Sequence, residues 1–354
     1  MPSSQDIFSS LTGILPAGLQ DVEAVRILLR GDSVIDWHRL AIRDGRHADA
    51  FLALQGFTVS DAADATRLLW LRDEALAYLD THLKLWVGPE VRAQRDVREL
   101  LVTASHDGQT QREACALLKV MHVIHHAAGR ELLYRLPVPM NELFRRIEGR
   151  IFGAVDDMKR AGVAIAGFAA SRKTPESVFT KLLARRDSLA AEVHDRLRFR
   201  IVTRTLDDLF QALLCLTRWV IPFNYVLPGE SRNDLIDLEG TLSADPRLRD
   251  LRGLLQSVAG VDDAASRVNW FSAAGFRTIN FVADIPVPVG DLVVGVPGHD
   301  PRQHGRVVFL LAEFQLLDEV TAAANETGDN RHELYKARQI ARVIDRLNGA
   351  ARRD

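Results

Sequence analysis

Residues 195–202 read DRLRFRIV. Leu197, Phe199 and Ile201 alternate with Arg198 and Arg200, the period of a half-buried strand whose other face is polar. Leu206 to Trp219 then reads as a helix. Working outward, Val163 to Ala169 is short and apolar and reads as a strand, and Thr174 or Pro175 to Ala184 as a helix. Val220 to Val226 is a further strand candidate, Phe276 to Ile285 alternates again, and Val307 to Leu317 is a long apolar strand. A last helix is expected from Asp318 to near Asn348. Strands alternating with helices predict an α/β or α+β unit with a mixed sheet of about five strands flanked by helices.

Upstream the pattern is helical throughout. Ser60 is a candidate N-cap for a run through Thr81, with Leu68, Leu69, Leu71, Ala75, Leu76 and Leu79 forming the stripe. Pro89 opens a second run to Leu101, Gln109 to Leu136 a third, and Asn141 to Ala161 a fourth after Pro137 and Pro139. The expected division is a helical domain over residues 1–155 and an α/β domain over 156–354. A chain of 354 residues accommodates one large or two modest domains.

Composition narrows the functional classes. Forty-five basic against 47 acidic residues give a net charge of −2, so no overall attraction to nucleic acid operates and no DNA partner is expected. Hydrophobic residues at 47% suffice for a sizeable core. Cys115 and Cys215 lie far apart in apolar helical contexts; they build neither a disulfide framework nor a multi-cysteine zinc site and fit a reducing compartment. No membrane span is expected, because no apolar run is long enough. The first 15 residues lack a basic run and include Asp6, so no secretory signal is expected and the anticipated location is cytoplasmic.

The chemistry-bearing residues lie in the second half. Asp195 precedes a strand, and Glu313 and Gln315, two apart in another, share a face. Two such carboxylates can hold a divalent cation; magnesium prefers carboxylate oxygens and shares itself with substrate phosphates. Lys173 and Lys181 flank a helix start, while Arg198 and Arg200 line a strand face. Cations beside carboxylates on one sheet face make a polyphosphate site. The plainer alternative, a surface ion-pair network, stays open at this level.

Five separate segments together resemble the synthetase domain of the RelA/SpoT proteins, the alarmone synthetases, in that family's order. Lys173, Ser177 and Lys181 in RKTPESVFTKL resemble its Lys-x-x-x-Ser-x-x-x-Lys segment. Asp195 and Arg200 match its Asp-x-x-x-x-Arg; GFRTIN, residues 275–280, resembles its Gly-Tyr-x-Ser-Leu-His. Glu313 to Leu316 match its Glu-x-Gln-Ile strand, and Glu326, His332, Tyr335 and Lys336 its last motif. The likeness covers roughly residues 165 to 340 and leaves out the first 150.

The resemblance implies a nucleotidyltransferase-like fold and magnesium-dependent transfer of pyrophosphate from ATP to a guanine nucleotide. Asp195 and Glu313 would then be the metal ligands. Lys173, Ser177 and Lys181 would hold ATP phosphates, assisted by Arg172 or Arg200. Phe276 would stack on the acceptor base, Gln315 would contact the acceptor or orient Glu313, and Asn280 and His332 would line the same site. Phosphoryl transfer is mostly positioning and charge neutralisation, which such parts provide.

The departures gather on the acceptor side. Leu317 stands where the family has arginine, Asp318 where it has threonine, Phe276 for tyrosine, Asn280 for histidine and Ser272 for lysine. Each missing cation removes a charge-assisted contact of about 1.5–3 kcal/mol. The expected acceptor is therefore an altered nucleotide, or an RNA hydroxyl. A catalytically silent nucleotide sensor and a toxin-like enzyme modifying tRNA ends are the rival expectations.

Other features read as structural. His122 and His126 are i and i+4, but no glutamate of an HExxH motif lies between them, and His106-Asp107 lacks a supporting helix. Trp70, Trp86, Trp219 and Trp270 read as core or domain-junction residues. Residues 290–305, rich in glycine and proline, match no phosphate-cradling loop and read as a flexible hairpin beside the site.

Overall fold

A computed structural model of the chain describes residues 19–30, 42–106, 108–184, 197–222, 225–236, 276–327 and 332–348. Among the described residues seven α-helices come first: α1 (Leu19–Arg30), α2 (Gly45–Leu54), α3 (Ala62–Tyr78), α4 (Pro89–Ala93), α5 (Val97–Thr103), α6 (Gln109–Arg135) and α7 (Met140–Arg160). The strands and remaining helices follow as β1 (Ile165–Arg172), α8 (Pro175–Ala184), β2 (Leu197–Thr203), α9 (Leu206–Trp219), β3 (Arg232–Asn233), β4 (Ile279–Pro288), β5 (Val307–Asp318), α10 (Glu319–Asn325) and α11 (His332–Leu347).

Local chemistry sets several boundaries. Asp61, rather than Ser60, caps α3, its carboxylate accepting from the Ala63 and Asp64 N–H groups at 3.0 Å. A π-helical turn, Leu79–Leu83, extends α3 until Lys84 ends it with φ 52°. The single run expected from Pro89 to Leu101 is two helices, because Asp96 caps α5 through the Arg98 N–H at 2.9 Å. The expected last helix is likewise two, α10 and α11.

The five strands form one mixed sheet in the order β1-β2-β5-β4-β3. β2 and β5 run parallel, and the other neighbours antiparallel. Val220 to Val226, expected as a strand, contributes among its described residues only an isolated bridge from Val226 to Ala283. Val220, Ile221, Tyr225 and Val226 are buried, which gives a strand-like composition without a strand ladder. The fifth strand is instead the two-residue β3.

One sheet face is apolar. Phe168, Phe199, Phe314 and Phe281 stack across β1, β2, β5 and β4, with successive ring centroids 6.3, 5.4 and 5.2 Å apart. Leu213 of α9, Ile147 and Met158 of α7, and Leu28 of α1 belong to the same core. Position 155 therefore falls inside a helix whose buried side belongs to the sheet. A second core gathers Phe51, Leu68, Leu71, Leu100 and Leu117 from α2, α3, α5 and α6.

The β4–β5 hairpin projects beyond β2 at the sheet's far end and meets the helical region. Gly129 of α6 lets the helix approach: a Cβ there would lie 2.5 Å from the Phe309 ring and 2.9 Å from the Val307 carbonyl. Arg67 of α3, 2% exposed, donates to the carbonyls of Arg302 and Gln303. Burial lowers its pKa to about 10, so it stays charged at neutral pH. Arg306 bonds Asp61 at 2.5 Å and Asp64 at 2.7 Å. Residues 290–305 thus sit at the helical junction, not beside the candidate site as their composition suggested.

The histidine cluster is structural. His122 and His125 are buried on α6, His122 5.1 Å from the Tyr225 ring and His125 5.1 Å from the Phe309 ring of the hairpin, and His126 stacks on Phe309 at 4.0 Å with Nδ1 3.4 Å from Asp284. Both cysteines are buried and free. Trp70 lies beneath the Arg67 guanidinium, whereas Trp86 is 67% exposed and is not a core residue. Trp270 lies outside the described residues. Among the described residues, no helix is long and apolar enough to cross a membrane.

Candidate functional site

The sheet face opposite the phenylalanines is polar at the end where β2 is paired. Strand register alone builds it. Arg200 of β2 pairs with Gln315 of β5, Gln315 with Asn280 of β4, and Asn280 with Arg232 of β3. Cross-strand partners point to the same side, so a row of guanidinium, two carboxamides and guanidinium crosses four strands. One step along, Ser171, Arg198, Glu313 and Val282 form the next row.

Three interactions organise these rows. Arg198 Nε and Nη2 each lie 2.9 Å from Glu313 Oε2. Arg200 Nη2 is 3.7 Å from Glu326 Oε1, while its Nε is buried with no hydrogen-bond partner among the described residues. A buried donor without a partner is costly, and an anion placed there would satisfy it. Arg232 pairs with Asp234 at 2.6 Å and donates from Nη2 to the Phe276 carbonyl at 2.9 Å. Beside it the buried Asn325 side chain accepts from the Arg277 N–H at 3.1 Å and donates to the Arg277 carbonyl at 2.7 Å. Arg232 and Asn325 together fix the backbone carrying Phe276.

Among the sequence-derived residues, Glu313, Gln315, Arg200 and Asn280 form a contiguous block, with Phe276 joined to it through Arg232. Lys173 follows directly on β1, at the sheet end where Arg198 meets Glu313. Ser177 occupies the first turn of α8, its hydroxyl 3.3 Å from that of Thr174. Lys181 stands one turn further along α8, and His332 begins α11; the side chains of both lie outside the described residues, as do Asp195 and Gly275 entirely.

Arg172 stands apart. It pairs with Leu197 and so shares the apolar face's side of the sheet. Its guanidinium is bonded twice to Glu148 of α7, at 2.7 and 2.6 Å, and lies over the Phe144 ring at 5.6 Å. These contacts hold its pKa above the usual arginine value, the Glu148 hydrogen bond contributing most.

Sequence reasoning did not foresee Arg198 as the direct partner of Glu313, nor Arg232 at all. The alternation in β2 already placed Arg198 on the correct face. A two-residue strand has no periodicity, so nothing signalled Arg232.

A hard divalent cation fits the donor chemistry in part. Glu313 offers a carboxylate and Gln315 a carboxamide oxygen on the same face, and such ions take few protein oxygens when phosphates supply the rest. Among the described residues no cluster of three or more His, Cys, Asp or Glu side chains gathers.

No family model matches the chain, and no curated protein matches it. Among solved structures, it is similar to small alarmone synthetase 1 from Bacillus subtilis bound to its product pppGpp, with 12% identity and a TM-score of 0.32 over 61% of this chain and 93% of that one. It is similar also to small alarmone synthetase 2 from the same organism, at 15% identity and a TM-score of 0.28 over 60% and 96% of the two chains. A GTP pyrophosphokinase family protein from Streptococcus pneumoniae matches at 14% identity and a TM-score of 0.26, over 65% and 89%. At this level of likeness, no residue role transfers from these proteins, and the chemistry of the site rests on its own geometry.

Proposed function

We propose that the polar end of the sheet binds ATP with magnesium and transfers its pyrophosphoryl group to a hydroxyl of an acceptor nucleotide or RNA. The observation that carries this reading is the convergence of four separated motif segments. Arg200, Asn280, Gln315 and Glu326 come from distant stretches, yet the register aligns the first three and the Arg200–Glu326 pair adds the fourth. A surface ion-pair network would not require two carboxamides between two arginines, nor leave the buried Arg200 Nε without a partner among the described residues.

The chemistry follows from the parts. Arg200, Lys173, the first turn of α8 with Ser177, and Lys181 one turn further along neutralise and orient the triphosphate. Phe276, held by Arg232, offers a ring face to the acceptor base, and Asn280 and Gln315 offer paired donors and acceptors to its polar edge. The acceptor oxygen forms a bond to the β-phosphorus, the bond from that phosphorus to the α–β bridging oxygen breaks, and AMP leaves. Glu313 takes the hydroxyl proton. Bound magnesium would be held by Glu313 with Asp195 and would offset charge on the transferring phosphates.

Incubating the purified chain with γ-labelled ATP and a panel of nucleotides and tRNA tests this. Label should move to one acceptor, AMP should form in equal amount, and EDTA should stop both. No transfer and no ATP binding would end the proposal. A second reading, a nucleotide sensor without turnover, draws on the Arg198 guanidinium already seated on Glu313; it predicts binding with no AMP.

A further inference from the structure

The Arg198–Glu313 pair bears on how the proposed site fills. Both nitrogens of Arg198 that face Glu313 meet the same oxygen, Oε2, at 2.9 Å. Glu313 is 8% exposed, and a carboxylate so buried needs a compensating charge. The parallel register makes the two residues direct neighbours, so the pairing is built into the sheet and not a chance of side-chain rotamers. A divalent ion on Oε2 would stand against the guanidinium at contact distance, and two cations cannot share one buried oxygen without strong repulsion. The Arg198 side chain is 35% exposed, so its guanidinium has a way out toward the polar face.

From this pair we infer that Arg198 is the resident counterion of Glu313 and exchanges with the metal. The ion arrives when a polyphosphate draws the guanidinium off the carboxylate, so metal and nucleotide bind as one linked event. Arg198 is thereby a positioning residue that keeps Glu313 neutralised until substrate is present. The inference rests on the proposed ATP site. It extends that reading by making the nucleotide's phosphates the switch for cation entry.

Manganese titration of the full chain, following the electron-spin signal of the free ion, tests it with and without a non-hydrolysable ATP analogue. Beyond the Mn2+ that the analogue holds by itself in a protein-free titration, the wild-type chain should bind Mn2+ about tenfold or more tightly when the analogue is present, a coupling in the usual range for linked sites. Arg198→Gln should bind Mn2+ without nucleotide and lose most of that coupling. Arg198→Lys, shorter and unable to bond through two nitrogens, should show a reduced coupling, and it carries the test if the glutamine variant does not fold. Unchanged Mn2+ affinity and coupling in the variants, with the analogue still binding, would overturn the inference alone. No binding of the analogue to the wild-type chain, followed by its own fluorescence, would overturn the proposed function and this inference with it.

Discussion

At the residue scale, strand alternation places some side chains where their chemistry is used and others where it is spent on packing. Arg198 and Arg200 share the polar face, whereas Arg172, on the opposite side, is consumed by Glu148. Glu313→Gln removes a proton acceptor and a charge, and should lower any transfer rate by about 10²–10⁴; a rate within twofold of wild type would remove Glu313 from the chemistry. Arg172→Ala should leave ATP affinity unchanged and cost about 1 kcal/mol of stability, as a partly exposed ion pair does. Calorimetric titration and thermal unfolding of that variant measure the two quantities, and a tenfold loss of ATP affinity would place Arg172 back among the phosphate ligands.

Much of this was legible in the residues themselves. The alternation of Leu197, Phe199 and Ile201 with two arginines identifies β2 and its faces, and the two-residue spacing of Glu313 and Gln315 puts them together. Arg232 was illegible because β3 is too short to show a period and its partner Asn280 lies far along the chain. Residues 220–226 misled because Val220, Ile221, Tyr225 and Val226 are buried with only one isolated bridge among them, which yields the same apolar run.

At the element scale, α6 and the β4–β5 hairpin dock through side chains that leave no slack. Gly129→Leu would drive a side chain into Phe309 and the Val307 backbone, and should cost about 1–3 kcal/mol or more by overpacking; an unchanged melting temperature would show that this contact is loose. The same interface carries an acid sensitivity. Burial holds the pKa of His122 down to about 3, with the neighbouring His126 adding to the effect. Burial also holds His125 well below its ordinary value, with Arg67 and the other histidines contributing. The unfolded chain binds protons on both histidines as pH falls through 6.5 while the folded chain does not, so stability is complete above that pH and is lost below it. Between pH 7 and 5 His122 should cost about 2 kcal/mol, and His125 adds to the loss in the same direction. Unfolding in denaturant across that range measures the slope, and His122→Phe should flatten it; an unchanged slope in that variant would mean His122 already titrates normally in the folded chain.

At the scale of the whole molecule, the helical region and the sheet are joined by two arginines, one buried and one half-buried. Arg67 reaches the hairpin carbonyls and Arg306 returns to Asp61 and Asp64, while α7 contributes to the sheet core. Such shared burial predicts one cooperative thermal transition for the described chain, and two resolved transitions by calorimetry would contradict it. The helical junction grips one end of the β4–β5 hairpin, and the polar row crosses its other end. The net charge of −2 says nothing of that row, whose cations are local and set by register.

Calorimetric titration with magnesium-ATP of the wild-type chain, Arg200→Ala and Gln315→Ala, with Arg146→Ala at the far end as control, tests the nucleotide face most directly. The prediction is saturable binding in the wild type, weakened about tenfold or more in Arg200→Ala by loss of a charge-assisted contact, measurably weakened in Gln315→Ala and unchanged in the control. Equal affinity in all four proteins, or no binding to any, would contradict the assignment of this sheet end to ATP.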